Sequence, residues 1–143
     1  MQKGIDFIGI SVVTVCHDGR GKYLLEYRGD QCRDEHFTWS PAGSGGVRKG
    51  ESLEDAVRRE ILEECGAQAT HIEPLGFREV LRTVNGNDTH WIAFDFRAQI
   101  SPGHVVIHEP EKCLKLEWFL PNEFPAPLHS QFPFFLEKYK DVL

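Results

Sequence analysis

Apolar positions recur along this chain with two different periods, and the changes of period divide it into elements. Residues 5–16, "IDFIGISVVTVC", are dense in Ile and Val, the composition of a strand buried on both faces. The run is too short to span a bilayer and no small-residue cleavage site follows it, so it is expected as a buried strand and not as a signal. "HDGRGK" then reads as a turn and "YLLEYRG" as its hairpin partner. "QCRDEH" is a polar loop, and "FTWS" a short strand ending at Pro41. The spacing changes to a helical one after Gly50. Ser52 is a good N-cap with Asp55 completing an approximate capping box, and Leu53, Val57, Ile61 and Cys65 form a buried stripe before Gly66, a natural left-handed stop. Beyond it "HIEPLGFREVLRTV" and "HWIAFDFRAQI" alternate as two strands joined by "NGND". "HVVIHEPEKCLKLEWFLP" predicts one or two further strands around an "EPEK" loop, and residues 133–143 an amphipathic helix. The order of elements predicts a single domain over residues 1–143, an α/β or α+β sandwich with a mixed central sheet and two helices.

The length of 143 residues suits one such core, and 41% hydrophobic with 27% charged residues is ordinary for a globular chain. A formal charge of -6 argues against duplex DNA or an anionic membrane as a standing partner. It leaves room for a small polyanion, because a bound metal reverses the local sign. Cys16, Cys32, Cys65 and Cys113 contain no Cys-x-x-Cys pair and no matching histidine pair, which reads as reduced thiols in the cytoplasm. Trp39, Phe77, Phe94 and Phe96 could stack on a base, but strand aromatics are more often core. His36, His90 and His108 carry no assigned role.

The predicted helix holds the candidate chemistry. Glu60, Glu63 and Glu64 fall in a sector of roughly 100 degrees beside the buried stripe, not opposite it where a merely solvated face belongs. A loop carrying Gly43, Gly45, Gly46 and Gly50 precedes it, a backbone that can approach a ligand closely. Clustered carboxylates on a rigid helix suit magnesium, which takes hard oxygen ligands, keeps several waters and shares phosphate oxygens with its substrate. Such an ion offsets the charge by which a diphosphate repels a nucleophile.

Gly45, five residues, Glu51, seven residues and then "REILEECGA" resembles the Nudix box, with Arg59, Glu60, Ile61, Glu63, Glu64 and Gly66 in their places. The flanking strand order is also similar to a Nudix α-β-α sandwich over nearly the whole chain. Three features depart from the family pattern. Ala67 is small where a larger aliphatic is preferred, "PAGSGG" is longer than the usual loop, and Arg48 stands where an acid is common.

The resemblance implies a magnesium-dependent pyrophosphohydrolase, with manganese as a substitute ion. It implies Glu60 and Glu64 as metal ligands, and Glu63 as a ligand directly or through water. The general base is expected among Glu63, Glu64 and a downstream acid, with Glu111 ahead of Glu109. Arg59 would pair with a carboxylate and fix its rotamer, and Glu51 would brace the loop. Arg28, Gly45 and Gly46 would contact substrate. Between Leu75 and Ser101 there is neither the proline of typical ADP-ribose hydrolases nor the tyrosine of dinucleoside polyphosphate hydrolases. The remainder is most similar to MutT-related enzymes that cut nucleoside triphosphates to monophosphate and pyrophosphate. ADP-ribose, nucleotide sugars and a catalytically silent sensing domain are the alternatives. The expected partner is a small nucleotide, and homodimers are frequent in the family.

Overall fold

The computed structural model describes residues 1–143. Its strands are β1 (Gly9–His17), β2 (Tyr23–Arg28), β3 (Trp39–Pro41), β4 (Gly45–Gly46), β5 (Ala69–Val84), β6 (Asn87–Ile100) and β7 (Cys113–Phe119). Helix α1 (Leu53–Cys65) lies between β4 and β5, and α2 (Phe132–Lys138) follows β7. The sheet runs β3-β2-β1-β6-β5, with β4 on β1 and β7 on β2; β1 and β6 are parallel and the other pairs antiparallel. The expected mixed sheet with two helices is therefore present.

Alternation along the strands sorts the core into two halves. Val12, Cys16 and Leu24 pack with Val57, Ile61 and Cys65 of α1. Val15, Tyr23, Leu25 and Trp39 pack with Phe132, Phe135 and Tyr139 at α2. Thus α1 and α2 cover opposite faces, which is the sandwich. Asn85 and Gly86, at φ 51° and 81°, make the two-residue turn of the long β5–β6 hairpin. No helix is long and apolar enough to cross a membrane.

Two expected strand segments differ. β1 starts at Gly9, and the residues before it, with Ile5, Phe7 and Ile8 exposed, form a turn bridged between Lys3 and Phe7. "HVVIH" forms no strand either, because it docks on α1. The Val106 N–H donates to the Cys65 carbonyl at 2.8 Å, satisfying an acceptor that the helix end leaves unpaired.

The site is positioned by a parting of strands. β1 and β2 pair only at Cys16–Leu24 and His17–Tyr23, after which β1 takes β4 and β2 takes β3 and β7. A cleft opens where they separate.

Candidate active site

The cleft encloses a cavity of about 410 Å³. Ser11 and Val13 of β1, Glu26 and Arg28 of β2, Gly45, Gly46 and Glu64 are in its wall, and Trp91, Glu109, Lys112, His129 and Gln131 enclose it further.

Helix α1 sends Glu64 into this cleft from a firmly set frame, while Glu60 and Glu63 stand outside the cavity wall. The Ser52 side chain accepts the Asp55 N–H at 3.1 Å, and Gly66 ends the helix at φ 68°. Arg59 joins helix and loop. Its Nε donates to Glu51 Oε2 at 2.7 Å, and its Nη2 to Glu51 Oε1 and the Gly46 carbonyl, each at 2.9 Å. Its Nη1 reaches Glu60 Oε1 at 2.7 Å and Glu63 Oε2 at 3.4 Å. One guanidinium thus sets a loop carbonyl and two of the three helical acids, a planar fork meeting several oxygens at once.

The loop closes on the remaining acid. Gly43, at φ 87°, donates its N–H to Glu64 Oε2 at 2.6 Å. A Cβ on Gly45 would overlap the Glu60 carboxyl, so only glycine lets the strand lie against that acid.

The acids are set at different depths. Burial pushes the Glu64 carboxyl well above its ordinary value, and the charge of Glu26 adds to the shift, against the Gly43 hydrogen bond. Burial likewise raises Glu26 to about 7 while Arg28 and the Ser40 hydroxyl oppose it. Glu60 is raised by burial against Arg59. Glu63 is the open member, its side chain 46% exposed. Arg59 offsets only part of this at Glu60 and Arg28 stands 3.9 Å from Glu26, so a bound cation would relieve the cluster further.

Glu26 was not among the residues singled out from sequence, although a signal exists: an acid directly between Leu25 and Tyr27 on a strand otherwise rich in apolar residues. Glu109 and Glu111 also fall differently from expectation. Glu109 is in the cavity wall, whereas Glu111 is exposed and is not part of it. The Lys112 and Cys113 N–H groups both bond the Glu109 carbonyl, and this turn presents Glu109 inward. Arg28 is in the wall as well, and its Nη2 is engaged by Asp34 Oδ1 at 3.0 Å and the Asp34 carbonyl at 2.9 Å. Trp39 and Phe96 are buried core, while Phe77 is 56% exposed and stands outside the cavity.

No three His, Cys, Asp or Glu side chains stand together as a ready metal cage. Magnesium does not require one, since a couple of carboxylates with waters and substrate phosphates complete its shell. The donors here fit that demand. Glu60 and Glu64 lie one turn apart on one face of α1, and all their ligand atoms are hard oxygen.

A mixed sheet between two helices, with a glycine loop locked by an arginine to an acidic helix, defines a Nudix-type fold and site. The chain belongs to this family: the NUDIX domain model matches residues 8–139. Among curated relatives, nucleoside triphosphatase NudI of Klebsiella pneumoniae is 49% identical over 83 residues, which are 56% of this chain and 57% of that one. NAD-capped RNA hydrolase NudC of Escherichia coli O157:H7 is 31% identical over 87 residues, covering 57% of this chain and 29% of that one. The chain therefore spans about half or less of the length of these relatives. Among solved structures, a MutT NUDIX hydrolase from Burkholderia pseudomallei superposes with a TM-score of 0.81 at 27% identity, over 93% of this chain and 98% of that one. A MutT protein from Methanosarcina mazei Go1 gives 0.74 at 22% identity, over 94% of each, a likeness of fold alone.

Proposed function

We propose that this protein hydrolyses a nucleoside triphosphate to the monophosphate and pyrophosphate with the aid of magnesium. The observation that carries the reading is the cleft itself, where Glu64, the Gly45–Gly46 strand and Arg28 line one cavity. An acid for a metal and a cation for phosphate oxygens line the same cavity. The partial match to a nucleoside triphosphatase supports the substrate class.

Glu60 and Glu64 would hold the ion, with Glu63 joining through water, and the ion when bound supplies charge neutralisation and an acidified water. The chain's own groups supply position. Arg59 keeps Glu60 and Glu63 in fixed rotamers and ties the Gly46 carbonyl to the helix. The Gly43 N–H restrains Glu64 in the same way. Fixed oxygens lose little freedom when the transition state forms, the usual gain from a preorganised site. Arg28 and Lys112 would draw the phosphate chain along the wall, and Glu109 and Glu26 are the further acids of that wall available to accept a proton. The four free thiols agree with a cytoplasmic setting.

The test is release of phosphate and pyrophosphate from a panel of nucleoside triphosphates, nucleotide sugars and ADP-ribose, with and without magnesium. Glu64→Gln is run beside the wild type. Magnesium-dependent pyrophosphate release from a triphosphate is expected, with a loss of at least about 100-fold in kcat for Glu64→Gln and an unchanged fold. Activity confined to ADP-ribose or a sugar nucleotide would replace the substrate. Silence on the whole panel would leave a nucleotide-sensing domain. Wild-type turnover by Glu64→Gln would remove the site assignment.

A further inference from the structure

The turn that precedes β1 delivers a cation to a second cavity beside the cleft. Asp6 Oδ2 accepts the Gln2 N–H at 2.6 Å, and the Gly4 N–H donates to the Phe7 carbonyl at 2.7 Å. The Gly4 carbonyl in turn accepts the His90 N–H at 2.8 Å. A Cβ on Gly4 or on Gly9 would overlap the Trp91 indole, so the turn is seated on that ring by close backbone approach. Lys3 consequently reaches the glycine strand, its Nζ donating to the Val47 carbonyl at 3.4 Å and standing 3.7 Å from where a Cβ of Gly46 would be.

Beside the catalytic cavity is a second one of about 510 Å³, walled by Lys3, Arg33, Arg82 and Trp91 with Asn85 and Asn87 beyond. The two cavities share Arg33, Arg82 and Trp91. No Asp or Glu is in the wall of the second. Arg82 is already engaged by Asp34 at 2.9 Å and Glu35 at 3.1 Å. Lys3 and Arg33 form no ion pair: Lys3 has its long hydrogen bond to the Val47 carbonyl, and the Arg33 guanidinium lies 5.3 Å over the Trp91 ring. Two cations with no carboxylate partner on one wall, in a chain of net charge -6, raise a local positive potential that an anion relieves.

We propose that Lys3 and Arg33 form a subsite for the terminal phosphate of a nucleoside triphosphate, the phosphate beyond the linkage that is cut. This rests on the triphosphate reading above and gives it a specificity device. A substrate aligned on the Gly45–Gly46 strand passes its last phosphate beyond Gly46, where the Lys3 ammonium waits. A nucleoside diphosphate of the same base ends before that point. Discrimination by phosphate number follows from one charge-assisted contact that the shorter substrate cannot make.

Lys3→Gln tests the proposal in two ways, with Lys140→Gln as a control for net charge at an exposed site. Kinetically, Lys3→Gln should lower the ratio of kcat/KM for a triphosphate over its diphosphate by about tenfold, mainly through KM. By calorimetry in magnesium buffer, inorganic triphosphate should bind wild type more tightly than pyrophosphate does. Lys3→Gln should erase that difference while Lys140→Gln keeps it. Equal binding of the two anions by wild type, or a difference that survives Lys3→Gln, overturns the subsite. A wild type that cuts no triphosphate overturns the proposed function instead, and the calorimetric comparison still judges Lys3.

Discussion

Glu26 is an acid where β2 has every local reason to be apolar, with Leu24 and Leu25 both buried beside it. Its only ion-pair partner is Arg28, at 3.9 Å, and Arg28 is itself committed to Asp34. The nearby Glu64 adds like charge. An acid so placed opposes folding unless a ligand compensates it. Glu26→Gln keeps the shape and can still accept the Ser40 hydroxyl, so the metal-free variant should melt about 3 °C higher at about pH 8. Its turnover should fall by at least about tenfold, the pattern of a residue that trades stability for activity. Raised melting with full turnover would make Glu26 a bystander of the cleft. In the sequence Glu26 is marked only as an acid between Leu25 and Tyr27, without the spacing that marks Glu60, Glu63 and Glu64. Glu109 and Glu111 show the same limit, since a turn of a few residues decides which of two nearby acids faces inward.

Helix α1 was legible from end to end because its signals are local. Ser52 caps it, Gly66 stops it, and Val57, Ile61 and Cys65 are fully buried as their spacing requires. The segments that differ from expectation are those whose partners are distant in sequence. "HVVIH" has strand composition, yet its Val106 amide is taken by the end of α1. The apolar residues before Gly9 are drawn into a turn over Trp91, a contact no local pattern announces. The junction of loop and α1 yields a test at this scale. Hydrogen bonds from Arg59, and then from the Arg48 N–H, hold the Glu51 carboxyl down at about 2 against an ordinary 4.5. A carboxylate depressed by folding stabilises the folded state above its unfolded value, and that contribution is lost as pH falls from 4.5 toward 2. Glu51→Gln should therefore lower Tm near neutral pH, and its difference from wild type should close through this window. Melting curves across that range are the measurement. A difference that stays constant down to about pH 2 would show that packing, not ionisation, supplies the effect.

Across the whole molecule the two helices divide the work of the cleft. α1 supplies Glu64 to the cavity wall, while the segment leading into α2 contributes His129 and Gln131. What fastens α2 is a buried charge. Asp95 on β6 is fully buried and is met by Arg78 Nε at 2.7 Å and Nη2 at 2.9 Å. The Tyr139 hydroxyl donates to Asp95 Oδ2 at 2.6 Å, joining the end of α2 to the sheet. Burial and the Asp95 charge push the Tyr139 phenol far up, so it remains a donor at every working pH. Tyr139→Phe keeps the ring packed on Phe135, whose centroid is 4.9 Å away, and deletes only this hydrogen bond. A hydrogen bond to a charged acceptor is worth about 1.5–3 kcal/mol, so Tm should fall by roughly 4–10 °C. Below that lower melting point the α1 acids and their Arg59 frame are untouched, and the magnesium concentration for half-maximal rate should match wild type. Any functional loss should enter through KM, by way of His129 and Gln131. A shifted magnesium requirement would mean that the two halves of the core are coupled through the sheet, and the division of labour between α1 and α2 would fail.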